Sequence, residues 1–417
     1  MLRAFAFWLT LGWFVVAWTP AASQDSPRRL ERGRKMTLSA DEAWRRAVRV
    51  AADAPGIVNT VDPESRLLSF TMPLSAADVK SMALEGKEIE KQPQMLHVTI
   101  WIPRPSAETT VFVRAAPGSV GFFSHSNGLI ESQILDAIQN GAPWRSLGAG
   151  ERVKELAQPL ERAWEAANAL LKSSTRIVVN EANRQIGVLT CSMAIPSSAF
   201  KTYAPATQGY YPGRVHITFW LDRAGQVTRI RMRALMLESG SVSPTALASS
   251  GLLENTLFDA IEKRLGGEDV ALTIASDYKE KPGFWAALFG GEPSVFEEIE
   301  KTGLKQELPA PAERVWTAAI KVLSQSSVIN KCDWQAKTLS FVAAHPSDSQ
   351  AKYSAHPMSV RLAPSEFGTM LYVSSGEAVD TPKELSSERK VIAERIATEL
   401  FLKDKLKWLL ETKGGNR

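Results

Sequence analysis

Two stretches of the chain decide its fold, because they are near copies of each other. Residues 96–102 read LHVTIWI and residues 215–221 read VHITFWL. Each alternates apolar residues with a His-Thr-Trp set, which is the period-2 pattern of a β-strand with one buried face. The matching histidines, His97 and His216, are 119 residues apart. This spacing predicts an internal repeat of domain size.

The elements around these strands recur at nearly the same offset. A helix start ending in tryptophan precedes each copy, at Trp44 and Trp164, and a third one occurs at Trp316. Each tryptophan opens an apolar stripe at helical spacing. Two β-hairpins and a closing helix follow each opening helix. The sequence therefore predicts an α+β fold of three tandem α-β-β-β-β-α units, each an antiparallel sheet with helices packed on one face.

The repeat divides the chain into segments. We expect a signal peptide at 1–23, a basic flexible tail at 24–37, repeat unit 1 at 38–142, repeat unit 2 at 156–266, a linker at 267–308 and repeat unit 3 at 309–412. Unit three keeps the opening helix and the first hairpin but lacks the His-Thr-Trp pattern.

The N-terminus has the features of a secretory signal. Arg3 precedes an apolar run over residues 4–18, and small residues at 21–23 follow Pro20. The run is shorter than the ~20 residues of a spanning helix, so we predict cleavage before Gln24 and a periplasmic or secreted chain. An uncleaved membrane anchor is the alternative.

The tryptophan-ending helix starts, with the strand-turn-strand that follows each of them, resemble the helix-grip domains of the BamC family. BamC is a lipoprotein of the outer-membrane β-barrel assembly machinery. The resemblance implies a non-enzymatic binding or scaffolding module at the cell envelope. This chain departs from the family in having three units and no cysteine near the predicted cleavage site.

Alternation places one polar and aromatic set on the sheet face that points away from the helices. Its members are His97, Thr99 and Trp101 in unit one, and His216, Thr218 and Trp220 in unit two. Aromatic residues are enriched at protein interfaces, so these six residues are candidates for partner binding. The alternative is that the sheet faces pack on one another or on a linker.

A second candidate contact lies in the linker. Residues 281–291 read KPGFWAALFGG and contain Phe284, Trp285 and Phe289. This apolar segment is too short to cross a bilayer. We expect it to pack into a groove of a neighbouring unit or to contact a partner or a membrane surface.

The residues give little sign of chemistry. The sequence contains no recognisable catalytic or metal-binding motif, and no cofactor is predicted. A net charge of +4 argues against nucleic acid as a partner. Cys191 and Cys332 are predicted to be buried thiols and not a disulfide. Glu131 and Glu254, in the closing helices, are interpreted as helix-surface carboxylates.

These observations favour an exported, non-enzymatic binding or scaffold protein of the bacterial cell envelope with a protein partner there. The alternative is a carrier or enzyme that encloses a small apolar ligand between sheet and helices.

Overall fold

A computed structural model provides the structure of the chain. It describes residues 32–54, 56–74, 95–103, 108–119, 122–123, 126–144, 151–174, 177–194, 203, 211–239, 246–272, 304–343, 357–375 and 389–401.

The described elements form three units of the same plan. Unit one contains β1 (Arg32–Met36), α1 (Ala40–Asp53), β2 (Ile57–Asp62), β3 (Leu67–Pro73), β4 (Met95–Trp101), β5 (Thr109–Ser119), β6 (Phe122–Phe123) and α2 (Leu129–Asn140). Unit two contains β7 (Glu151–Leu156), α3 (Leu160–Ser173), β8 (Ile177–Asn183), β9 (Val188–Ala194), β10 (Tyr211–Ala224), β11 (Val227–Ser239), β12 (Ala246–Ala248) and α4 (Leu252–Leu265). Unit three contains β13 (Leu304–Leu308), α5 (Ala312–Ser326), β14 (Ser327–Asp333), β15 (Thr338–Ala343), β16 (Pro357–Ser365), β17 (Gly368–Ser375) and α6 (389–401).

Each unit has one antiparallel sheet. The strand orders are β1-β5-β4-β3-β2, β12-β11-β10-β9-β8 and β13-β17-β16-β15-β14, with β6 also pairing β5 and β7 also pairing β11. The two helices of each unit pack on one face, which we call the helix face; the opposite face is the back face. The first-hairpin strands β2, β8 and β14 each lie at an edge of their sheet.

The opening helices show why the sequence folds this way. In α1, the Ser39 hydroxyl caps the helix by accepting from the Glu42 amide at 3.2 Å. Trp44 and Ala47 point to the sheet and are buried. They meet Val98 and Ile100 of β4 in one hydrophobic cluster. The stripe of the helix and the alternation of the strand therefore bury the same core.

The predicted fold class is confirmed, with one addition. Each unit begins with a strand that comes before its opening helix, so residues 32–36 of the predicted basic tail form β1 and residues 304–308 of the predicted linker form β13. These strands are short and charged, and they pair at sheet edges, where polar side chains remain in solvent. Such strands carry no apolar signal for a sequence pattern to detect.

The two cysteines are free thiols, as predicted. Both are buried, on the helix faces of units two and three respectively. Burial raises the pKa of the Cys191 thiol because desolvation disfavours the thiolate.

The turn that joins β8 to β9 has a glycine at the left-handed position where the equivalent turns of units one and three have Arg66 and Lys337. Gly187 has φ 68°, and its carbonyl accepts from the Leu221 amide at 2.7 Å. A Cβ atom at this position would lie 2.0 Å from the Leu221 carbonyl oxygen. Gly225 has φ 67°, but a Cβ atom there would meet nothing within 4 Å.

We expect Gly187→Ala to lower the free energy of unfolding by about 3 kcal/mol, because it combines left-handed strain with a backbone clash. Gly225→Ala is the matched control and should cost only about 1 kcal/mol, since it carries the strain alone. Urea unfolding of both variants measures the difference. Equal losses would contradict the close approach of Gly187 to the strand.

Candidate functional site

The His-Thr-Trp residues lie on the back faces of units one and two, as the alternation predicts, but they are not open to solvent. Thr99 and Trp101 are 5% and 4% exposed, and Thr218 and Trp220 are 2% and 6% exposed. His216 is also buried, while His97 is half-buried. Each back face is covered by another unit of the same chain.

The back face of unit one packs on unit three. Trp101 belongs to the hydrophobic cluster of unit three and stacks on Phe112, with ring centroids 5.4 Å apart. Beside it, Ser69 donates to the Ile329 carbonyl at 2.6 Å. Arg114, which is 3% exposed, donates to the Ser327 carbonyl. The contact therefore joins the sheet face of unit one to β14, the edge strand of unit three.

The back face of unit two packs on unit one in the same way. Trp220 belongs to the hydrophobic cluster of unit one. Arg233, which is 5% exposed, donates to the carbonyls of Ala54 and Gly56, next to the start of β2. Arg231 forms an ion pair with Asp53 at 2.9 Å. The sheet face of unit two thus covers β2, the edge strand of unit one.

The two contacts are equivalent by strand register. Arg114 pairs with Thr99 across the sheet of unit one, and Arg233 pairs with Thr218 in unit two. Because each back face covers the edge strand of the next unit, the spatial order is two, one, three. Unit one is therefore central among the three.

A buried carboxylate fixes the contact between units one and three. Asp62, 6% exposed, accepts from the Trp334 amide at 2.8 Å and from the Cys332 thiol at 3.2 Å through Oδ2. Its Oδ1 accepts from the Ser65 amide at 3.1 Å. The Ser65 hydroxyl in turn accepts from the Trp316 indole at 2.7 Å. The turn of one hairpin is therefore held to the opening helix and edge hairpin of another unit.

His97 is held in the neutral form. Its Nδ1 lies 2.7 Å from the Thr71 hydroxyl, which accepts from the Asn59 amide group at 2.8 Å. Desolvation by burial, together with the charge of Arg114, lowers the pKa of His97 to about 3. Burial therefore favours the neutral imidazole of His97 at pH 7.

The closing helices contain a repeated buried carboxylate, which corrects the prediction that Glu131 and Glu254 are surface residues. Glu131 accepts from the Ala115 amide at 3.1 Å and the Ser126 hydroxyl at 2.6 Å. Glu254 repeats both contacts with Ala234 and Ser249. Burial raises the pKa of both carboxyls, and the hydroxyl contacts oppose the shift. The sequence pattern Ser-x-Gly-Leu-x-Glu, which recurs in both units, is the signal from which these buried hydrogen bonds could have been predicted.

The remaining candidate residues predicted from the sequence are those of the linker. Phe284, Trp285 and Phe289 lie outside the described residues. In the described ranges, no three His, Cys, Asp or Glu side chains are grouped so that they could hold a metal ion. No helix among the described residues combines the length and apolarity needed to cross a membrane.

The space between sheet and helices, where a carrier would hold its ligand, is filled in unit one. Phe70, Ile100 and Ile134 have no exposed surface there. An open depression of about 380 Å³ lies instead outside the core of unit two, between α3 and the end of α4, and charged residues such as Arg162, Glu165 and Asp269 line it.

Comparison with known proteins identifies no family. No family model matches the chain, and no curated protein matches it. Among solved structures, the di-domain ARO/CYC StfQ from the steffimycin biosynthetic pathway shares 10% identity, with 62% of this chain and 99% of that chain covered and a TM-score of 0.18. The di-domain ARO/CYC BexL from the BE-7585A biosynthetic pathway shares 11% identity, with 57% and 95% covered and a TM-score of 0.17.

The prediction that the chain is not an enzyme is corrected by these neighbours, because the ARO/CYC proteins are enzymes. Catalysis therefore stays open for this chain. TM-scores of 0.17 and 0.18 carry no argument for a particular reaction.

We expect Arg114→Ala and Arg233→Ala each to lower the free energy of unfolding by about 2–3 kcal/mol, because each removes a charged donor from buried carbonyls. Ser374, which occupies the equivalent position in unit three, provides the matched control Ser374→Ala. Urea denaturation compares the three variants. Losses as small for the arginines as for the serine would contradict the proposed role of the two contacts.

His97 should make stability fall in acid. Its folded pKa of about 3 lies below the unfolded value, so the unfolded state binds the proton first as the pH falls. The contribution is complete above about pH 6.5 and decreases towards pH 3, by about 2 kcal/mol at pH 4.5. Denaturation at pH 7 and pH 4.5 should show a smaller loss for His97→Gln than for the wild type. Equal losses would contradict the assignment.

Proposed function

We propose that the chain is an exported binding or scaffold protein of the bacterial cell envelope, and that it contacts its partner through the two ends of its three-unit body. The predicted signal peptide supports export, and the resemblance to BamC helix-grip domains supports an envelope role. The His-Thr-Trp faces have a different role, because they hold the units together.

The exposure of the edge strand of unit two supports the choice of the ends as contact surfaces. Val178 on β8 is 41% exposed, whereas Ile57 on β2 and Val328 on β14, which occupy the same register, are 5% and 2% exposed. The same holds further along, where Ala182 is exposed but Val61 and Cys332 are buried. The edge strand of unit two is thus the most exposed of the three equivalent strands at these two positions, although its Asn183 amide group still donates to the Val61 carbonyl of unit one at 3.4 Å. An edge strand with exposed apolar positions is a common place for another chain to bind.

The other end is the back face of unit three. It presents Ser359, Arg361 and Tyr372, which are half-buried. Lys305 lies 5.7 Å above the Tyr372 ring and adds positive charge to this face. A polar, charged and partly aromatic face suits a transient or regulated contact better than a permanent dry interface.

Site-specific photo-crosslinking in intact cells tests the proposal. A crosslinking residue at Val178 or Tyr372 should give a discrete product with another envelope protein. Leu252, which begins α4 and is 49% exposed, is the control because it is as accessible as Val178 but lies on a closing helix, on neither β8 nor the back face of unit three.

The outcome that contradicts the proposal is a chain that gives the same crosslinks at Leu252 as at the two ends, or none at the ends. Fractionation tests the envelope location separately. We expect the mature chain to begin at Gln24 in the periplasmic or secreted fraction, and a chain that keeps Met1 in the cytoplasm would contradict export.

A further inference from the structure

The two contacts between units use the same acceptor on the unit that is covered. Arg233 donates to the Gly56 carbonyl, and Arg114 donates to the Ser327 carbonyl. The register of the first hairpins makes Gly56 and Ser327 equivalent, at the point where the opening helix ends and the edge strand begins. We call this point the acceptor position of a unit, and the back face that brings the arginine to it the donor face.

In unit two the equivalent residue is Ile177, and the chain of unit two itself lies beside it. The Leu272 amide donates to Ser174 Oγ at 3.2 Å, and the Ser174 carbonyl accepts from the Ile177 amide at 3.2 Å. Leu272 and Val270 pack, as Ile177 does, against the hydrophobic cluster of unit two. Among the described residues, the acceptor position of unit two is therefore bordered by its own chain.

An arginine also reaches this end of α3, but it comes from the same unit. Arg264, in the last turn of α4, donates to Ser173 Oγ at 2.8 Å and to the Val270 carbonyl at 2.9 Å. Counted from the buried glutamate of each closing helix, unit one has Gly141 at the position of Arg264. We call residues 264–272 the strap.

The strap and Ile177 oppose a donor face at unit two for two physical reasons. The guanidinium of Arg264 already lies at the C-terminal end of α3, where the helix carries partial negative charge, so an arginine of a donor face would meet a like charge there. Ile177 also brings a larger side chain to the acceptor position than Gly56 or Ser327 does.

The contact of β8 with β2 of unit one does not by itself close this position. Strand β2 contacts β14 of unit three while its own acceptor position is bound by Arg233. An edge strand can therefore take part in one contact as donor and in another as acceptor.

A chain that has not finished folding has the donor face that the strap would exclude. Arg114 and Ser327 are 213 residues apart in the sequence, so the donor face of unit one is uncovered until unit three has folded and packed on it. Beside the acceptor position of unit two, Val178 is 41% exposed. A donor face of one copy on the unit two of another is a head-to-tail contact, which repeats without closing.

We propose that the strap closes the acceptor position of unit two, and thereby prevents the donor face of unit one in a second copy from packing there before unit three covers that face. The strap leaves Val178 exposed, so it is compatible with a partner at β8. The inference does not depend on the proposed function, because it concerns copies of this chain and not a different partner.

Refolding of the mature chain tests the strap. The variant Arg264→Ala/Leu272→Ser removes the guanidinium and the apolar contact. Each protein is unfolded in urea and diluted into buffer at increasing chain concentration, and the recovered monomer is measured by size-exclusion chromatography with light scattering. At the highest concentration we expect the strap variant to give at least about twofold less monomer than the wild type, with oligomers in its place.

A second substitution identifies the surface through which the copies associate. Val178→Lys, added to the strap variant, should restore the monomer because it places a charge that repels Arg114 beside the acceptor position. Leu252→Lys is the matched control, since it adds the same charge at an exposed apolar position at the other end of α4 and should not restore the monomer. Gly187→Ala destabilises unit two away from the strap and should cause no loss that Val178→Lys relieves.

Three results would overturn the proposal. They are a strap variant that gives as much monomer as the wild type, a loss of monomer that Val178→Lys does not relieve, and a loss that Leu252→Lys relieves equally. Circular dichroism at the lowest concentration establishes that each variant folds. If the double variant does not fold, Arg264→Ala alone is measured in the same way, with the same outcomes.

Discussion

The arrangement of the molecule depends on one kind of interaction, a buried guanidinium bound to the backbone carbonyls of another unit's edge strand. Arg114 and Arg233 each make it, almost without exposed surface. A buried charge is tolerated where it is hydrogen-bonded, so each arginine fixes one unit on the next in a single register. The packing of Trp101 and Trp220 follows from that register.

Much of the fold could be predicted because the repeat makes its signals redundant. Trp44, Trp164 and Trp316 mark the same turn of the same helix, and the His97 and His216 strands confirm the period. Consistent local patterns in several copies are stronger evidence than any one of them. The first strand of each unit was not predicted because its sequence is short and charged, and a charged strand has the same composition as a solvated tail.

The candidate site could be predicted only in part. Alternation assigns Thr99 and Trp101 to the back face, but the period of a strand does not show what packs against that face. A comparison of the three units contains further information about this face, because unit three has Arg361 at the position of the tryptophan. A residue set kept in two copies and lost in the third also fits an internal contact made twice.

The central place of unit one has a consequence for the order of assembly. Ribosomal synthesis makes this unit first, and unit two can cover its edge strand soon afterwards. The back face of unit one around Trp101, in contrast, is covered only after β14 has been made. This strand lies more than 220 residues further along the chain. During that interval an apolar sheet face of a newly made chain is without its cover, which is a condition that favours aggregation. Unit three, which is made after the other two, thus covers the back face of unit one. A chain truncated before unit three would leave that apolar face exposed.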